Sequence, residues 1–287
     1  GIMCALASDI NWIIAGRILQ GLGAVSAAIT AWVADATRPE VRTRAMAMVG
    51  ASIGLSFAVS LVLSPVVVGQ FGLSGLFWVI SLLGFLCLLV AAFVVPSAPR
   101  AAPPLVRVKP VDVLRHADLL RLNLGVFCLH FILMALFIVV PSVLSSLGDF
   151  GSAQLWQVYL PVILLSFVFM VPAVFYTETR KAHKAALQWS VLGLAVTLLF
   201  MPWASEQLLW MVAALVGFFV AFNVLEALQP SLVSRVAPPD FKGLALGFYN
   251  MSQALGVFIG ASLGGLVITY AGASYVFLLY ALLALIW

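Results

Sequence analysis

Charge is what this chain lacks. Asp, Glu, Lys and Arg together make up 8% of its 287 residues, whereas 64% are hydrophobic. A soluble domain carries about 25% charged and about 45–50% apolar residues. No water-soluble fold of this length could hide so much apolar surface, so the solvent of this chain is lipid. Cysteine is also scarce. Cys4, Cys87 and Cys128 each lie inside an apolar stretch, which excludes a disulfide framework and a Cys-based metal site and leaves them as packing residues. A phosphate-binding GxxxxGK[ST] loop and an HExxH metal motif are both missing, so nothing points to a nucleotide-driven pump, a metalloprotease or any cofactor. The net charge of +4 does not indicate nucleic acid, because the basic residues sit in short clusters between apolar spans and not on one face.

What is present is a succession of long apolar runs. They fall near 12–34, 44–69, 76–96, 121–146, 153–177, 185–203, 207–233 and 243–270, with a tail of one run before residue 9 and a partial run after residue 274. A spanning helix needs about 20 apolar residues. Uninterrupted runs of that length predict helices, since barrel strands alternate with a period of two. The expected fold class is therefore all-α, a polytopic helix bundle in a membrane. The chain opens on "GIMCALA" and closes inside "YVFLLYALLALIW", so it reads as part of a longer polytopic protein.

The breaks between runs orient the bundle. Of the 14 Lys and Arg, all but Arg17 fall at alternate breaks: 38–44, 100–121, 180–184 and 235–242. The intervening breaks "SDIN", "QFGLSG", "LGDFGS", "ASE" and "AGAS" have none. By the positive-inside rule the basic breaks are cytoplasmic. The break at 96–121, "PSAPRAAPPLVRVKPVDVLRHADLLR", is long, Pro-rich and basic. It reads as a cytoplasmic linker over 97–120, ending in a short amphipathic segment near "VDVLRHADLL". It separates an N-terminal half, 1–96, from a C-terminal half, 121–287. The halves repeat at an offset of 200 residues: "RPEVRTRAM" (38–46) meets "PPDFKGLAL" (238–246), and "GLSGLF" (72–77) meets "GASYVF" (272–277). Two related halves in the same orientation are the parallel-repeat pattern of major facilitator carriers.

At these residues the chain resembles the major facilitator superfamily, and within it the twelve-helix drug:proton antiporter branch and its YajR-like group. "GRILQGLGA" (16–24) is similar to the family's fourth-helix motif, with Arg17, Gln20, Gly21 and Gly23 in place. The stretch 222–265, from "FNVLEALQPSLVSRV" to "GASLGG", resembles the tenth and eleventh helices, and "LLRLNLGVFCLHFILMALF" resembles the seventh. The fifth-helix Gly-Pro motif is incomplete, with Ser64–Pro65 in its place. The resemblance implies a partial major facilitator fold of two pseudo-symmetric halves, monomeric in the inner membrane. It also implies proton-coupled export of small amphipathic molecules through a midplane cavity that each side sees alternately.

Several residues could carry that chemistry. A guanidinium in hydrocarbon costs about 2.5–3.5 kcal/mol. Arg17 never deprotonates, so it can tune a neighbouring charge but cannot carry the proton. It sits five residues inside Trp12, where it could snorkel to the surface, but Gly16, Gly21 and Gly23 favour a tightly packed or cavity-facing wall. Glu226 is the acidic residue well inside a full span, and a carboxyl there can exchange protons. Its bland reading is a brace for helix packing, through Asn223 one turn away. By resemblance Asp35 would pair with an arginine of the family's loop between helices two and three; its own sequence reads as a boundary charge beside Arg38. Glu178, among Arg180, Lys181 and Lys184, reads as a solvated loop face.

His130, Gln20, Asn223, Tyr249, Asn250 and Gln253 are candidates to line a cavity, with Gln154, Trp156, Gln157 and Tyr159 near the start of the next span. For each, ordinary packing is the simpler account, and His130 has a second use as a proton relay. Ser52, Ser56, Ser60 and Ser64 form a small-residue stripe near Gly50 and Gly54, as do Gly256, Gly260 and Gly264; both read as close helix contacts or sliding faces. Pro65, Pro161, Pro172 and Pro230 can bend their helices. Among rivals, "GLSG" (72–75) matches a membrane serine protease GxSG, but its Gly and Ser recur at 272 and 274 as part of the repeat, so no enzyme is expected. An uptake carrier for sugars or other metabolites, or a membrane scaffold that transports nothing, remains as the alternative.

Overall fold

The computed structural model describes residues 1–22, 29, 32–33, 36–37, 39–96, 110–148, 151–238 and 242–287. Gly23, Asp35, Arg38 and most of the linker lie outside the described residues. Among those described, every regular element is helical: α1 (Ile2–Ala5), α2 (Ile10–Gly21), α3 (Pro39–Phe93), α4 (Pro110–Arg115), α5 (Ala117–Gly148), α6 (Trp156–Arg180), α7 (His183–Ala204), α8 (Leu208–Val236), α9 (Lys242–Ala271) and α10 (Ala273–Ile286), with one 3-10 turn at Ser152–Gln154. Six of them are long and apolar enough to cross a membrane. α3 contains two of the expected spans, 44–69 and 76–96, joined at Gly72, which leaves helical geometry at φ 66° and ψ −173°. The expected amphipathic segment divides: α4 is a six-residue helix, and 117–120 already belong to α5.

The chain divides into two compact units, Gly1–Pro103 and Pro104–Trp287. In the first, Asp9 caps α2 by accepting from the backbone N–H groups of Asn11 and Trp12. Cys4, Ala5 and Phe77 form a small buried core. The Ser74 hydroxyl donates to the Ala5 carbonyl, tying the start of the chain to the segment after Gly72. Ser52 and Ser60 spend their hydroxyls on their own helix, bonding the Val49 and Phe57 carbonyls. Gly54 and Pro65 are half-buried within α3.

The second unit is built on one close contact. A Cβ added at Gly256 or Gly260 would collide with the carbonyl oxygens of Phe127 or Phe131, and one at Gly264 would lie 2.9 Å from Ala135 Cα. The contacts advance four residues at a time on both helices, 127–131–135 against 256–260–264, so α5 and α9 run parallel. That agrees with both helices starting at basic breaks. Three glycines in α9 cost about 1 kcal/mol each in helix propensity, and here they serve to let two backbones meet. α5 has more buried side chains than any other described helix of this unit, among them Leu129, Ile132, Ala135 and Val139.

The repeat seen in the sequence has a backbone counterpart. Gly272 lies 200 positions after Gly72 and takes nearly the same conformation, φ 90° and ψ 172°. Only glycine occupies that region readily. Each glycine lets one helix end and the next begin with no intervening loop, and each is followed five residues later by a buried phenylalanine, Phe77 or Phe277.

Gly260→Ala should destabilise the second unit by about 1–3 kcal/mol, because neither backbone at the seam can retreat. Gly243→Ala, with nothing within 4 Å among the described residues, should leave stability unchanged or slightly raised. Thermal unfolding in detergent compares the two variants.

Candidate functional site

The polar side chains of the second unit converge near mid-depth. His130 is about 20 Å along α5 from its basic end, Gln253 about 16 Å along α9, and Glu226 about 15 Å from the basic end of α8, at 1.5 Å per residue. A hydrocarbon core is about 30 Å thick.

His130 is buried and bonded at both ring nitrogens. Nδ1 lies 3.1 Å from the Val126 carbonyl oxygen, one turn back on α5. Nε2 lies 2.7 Å from the Gln253 amide nitrogen and 3.6 Å from Glu226 Oε2. The Phe222 ring meets the imidazole edge-on at 5.7 Å. Glu226 is 40% exposed as a side chain, yet its Oε2 is enclosed and has no hydrogen-bond partner. So α5, α8 and α9 each contribute one group to a His–Gln–carboxyl cluster. Phe218, Phe219 and Phe222 continue it as an aromatic face on α8.

Asn223 does not brace Glu226. Its amide donates to Ser166 Oγ on α6 at 2.8 Å, because a residue three positions back on a helix points its amide outward to the neighbouring helix as readily as along its own. Ser166 was not visible as a site residue in the sequence. Neither was Gln229, which has no exposed surface and no hydrogen-bond partner for either amide atom. It lies one turn beyond Glu226 on the same face of α8, and that spacing was the available signal. Tyr249 is buried in a cluster with Val113, Leu119, Val126 and Val233, with its hydroxyl also unpartnered. Asn250 is half-buried on α9. Tyr159 is buried on α6 and packs against Phe137 of α5 at 5.8 Å.

In the first unit, Gly16 is the buried residue of α2, pressed against Cys4. Arg17, its neighbour, is exposed. Its Nη1 donates to Gln20 Oε1 at 3.1 Å, and its guanidinium lies 5.8 Å from the centre of the Phe77 ring. Gly21 has nothing within 4 Å among the described residues. Among the described residues, the tight packing expected around Arg17 is found at Gly16 and not at Gly21. Glu178 is not only a solvated charge: both its oxygens accept from Arg235 Nη2, at 3.3 and 3.4 Å, which ties the basic ends of α6 and α8. Among the described residues no group of three or more His, Cys, Asp and Glu could hold a metal ion.

The family model of the Major Facilitator Superfamily matches residues 1–232 and 122–287. The chain belongs to the major facilitator superfamily. It is 40% identical over its whole length to the inner membrane transport protein YajR of Escherichia coli (strain K12), and spans 64% of that relative's length. It is 30% identical to an uncharacterized transporter of Buchnera aphidicola subsp. Acyrthosiphon pisum, over 90% of this chain and 67% of the relative. In fold it is similar to the crystal structure of the human organic anion transporter MFSD10 (TETRAN), with a TM-score of 0.73 and 21% identity over 99% of this chain and 72% of that one. The two overlapping family matches fit a chain that carries the same helical pattern twice. This is a multi-pass membrane protein.

Gln229→Leu should be neutral or stabilising by about 1 kcal/mol, since it removes two buried polar atoms without partners at nearly constant volume. A loss above about 2 kcal/mol in thermal unfolding would show that the amide is bonded in the folded protein.

Proposed function

We propose that this chain forms part of a secondary transporter of the inner membrane that exports small amphipathic molecules by alternating access, driven by proton entry. The observation that carries this reading is the pairing of Glu226 with His130 at mid-depth, 3.6 Å apart, with the carboxyl oxygen unbonded. An ionisable pair in the hydrocarbon region is costly unless it is used. Two groups that can each hold a proton, on different helices, are what coupling a proton to helix movement requires. The surrounding rings of Phe218, Phe219, Phe222 and Tyr249 suit an apolar, aromatic cargo with few polar groups. Each proton crossing 100 mV supplies about 2.3 kcal/mol to the cycle. Arg17 has the role of a fixed cation in the first unit.

The incomplete fifth-helix motif, Ser64–Pro65, favours a second reading, an uptake carrier for sugars or other metabolites. The sign of the proton dependence separates the two: export is driven by protons entering on the side to which cargo leaves, uptake by protons travelling with the cargo.

In proteoliposomes, cargo flux from a panel of amphipathic molecules should rise with an imposed pH gradient. Glu226→Gln should remove that dependence, and Arg17→Ala should abolish flux at unchanged expression. Retained gradient dependence in the first variant, or unchanged flux in the second, counts against the corresponding role.

A further inference from the structure

The tautomer of His130 follows from its two partners. The Val126 carbonyl can only accept, so Nδ1, 3.1 Å away, carries the proton of the neutral ring. Nε2 is then an acceptor, and the Gln253 amide nitrogen, 2.7 Å from it, donates. Glu226 Oε2 faces that same Nε2 at 3.6 Å, too far for a hydrogen bond and near enough to attract a charge. We infer that Gln253 is a positioning residue that reads the protonation of the His130–Glu226 pair, its side-chain amide turning over when a proton sits on His130 Nε2.

This inference rests on the reading of the pair as a proton site. A proton that moves from the Glu226 carboxyl to His130 Nε2 leaves a carboxylate and an imidazolium, with no other bond changed. The new N–H then confronts the Gln253 NH2 group, donor against donor. Two arrangements relieve the conflict. The amide rotates and offers its oxygen, or it gives way and Glu226 closes in as acceptor. Both alter the side-chain link between α9 and α5. Gln253 stands one turn before Gly256, where the glycine seam between those helices begins. A change at the amide therefore acts at the end of the tightest backbone contact in the unit.

Few other charges compete for this position. α4, α8, α9 and α10 pack against α5, and Tyr159 of α6 meets it at Phe137. Their described titratable groups near mid-depth are Glu226 on α8, Tyr249 on α9 and Tyr280 on α10, whose ring meets Phe131 at 5.2 Å. Cys128 lies on α5 itself. Arg115, His116, Asp118, Arg121, Tyr176, Glu178, Arg180, Arg235 and Lys242 sit at or near the basic helix ends, and Tyr159, Tyr270 and Tyr275 near the opposite ends.

The protein has three histidines. In a background carrying His116→Gln and His183→Gln, isotope-labelled histidine reports His130 alone by NMR in detergent or nanodiscs. The neutral ring should be protonated at Nδ1. Gln253→Glu places an acceptor beside Nε2, and the imidazolium should then persist to a pH higher by about one unit. Gln253→Leu should shift or flatten the pH profile of flux while the thermal unfolding temperature stays close to that of the parent protein. A neutral ring protonated at Nε2, or the same titration midpoint with Gln253 and with Gln253→Glu, overturns the inference. If both NMR results hold but no proton-driven flux is seen, the amide's role stands and the transport reading fails, so the two are separable.

Discussion

Lipid offers no hydrogen-bond partner, and that constraint shapes the whole molecule. Backbone groups must be satisfied within each segment, so the described elements are helices. Polar side chains must find partners inside the protein or cost free energy, so the second unit gathers them on α5, α6, α8 and α9. There they form the Asn223–Ser166 bond, the His130–Gln253 bond and the His130–Glu226 approach. The outward faces are left to Leu, Val, Phe and Ile, which is why residues such as Leu164, Phe169, Leu255 and Phe258 are exposed without harm.

The glycine seam and the polar cluster depend on each other. Two helices whose backbones touch at Phe127, Phe131 and Ala135 fix where Gln253 falls relative to His130. Widening the seam by one methyl would separate the amide from the imidazole nitrogen by more than a hydrogen bond tolerates. The left-handed glycines at 72 and 272 have a different task. They turn the chain from one helix to the next in the same way in each unit, so a duplication that shows as scattered identities in the sequence reappears as one backbone conformation at the same offset.

Much of this was legible in the sequence, for physical reasons. Span positions follow from the free energy of placing charge in lipid, which is large and local, so α5 to α9 begin and end close to where the apolar runs do. The parallel run of α5 and α9 follows from the alternation of basic breaks. Gly256, Gly260 and Gly264 announce a close contact by their spacing, although not with which helix. The site was legible only in parts. His130, Glu226 and Gln253 stand out as polar residues in apolar surroundings, but they are 96 and 27 positions apart. Nothing in one chain's spacing says that they meet. Asn223 was assigned to its helical neighbour Glu226 because only local geometry can be read from sequence, whereas the structure gives it to Ser166, 57 positions away. Gln229 carries no signal of its own in the sequence beyond its spacing from Glu226. Around Arg17 the glycines point to close packing, and among the described residues it is found at Gly16 against Cys4 and not at Gly21. Glu178 read as solvated because its partner Arg235 is distant in sequence and the ion pair is half exposed.

The account stands on α7 crossing the bilayer with its basic end in the cytosol, since the orientation of every neighbouring helix alternates from it. Lys184 lies in the first turn of that helix and Glu206 just beyond its end. With Cys4, Cys87 and Cys128 replaced by serine, single cysteines at 184 and 206 can be labelled in intact cells with a thiol reagent that does not cross the membrane. The account predicts labelling at 206 and protection at 184 until the cells are opened. Labelling of both positions from outside would contradict it.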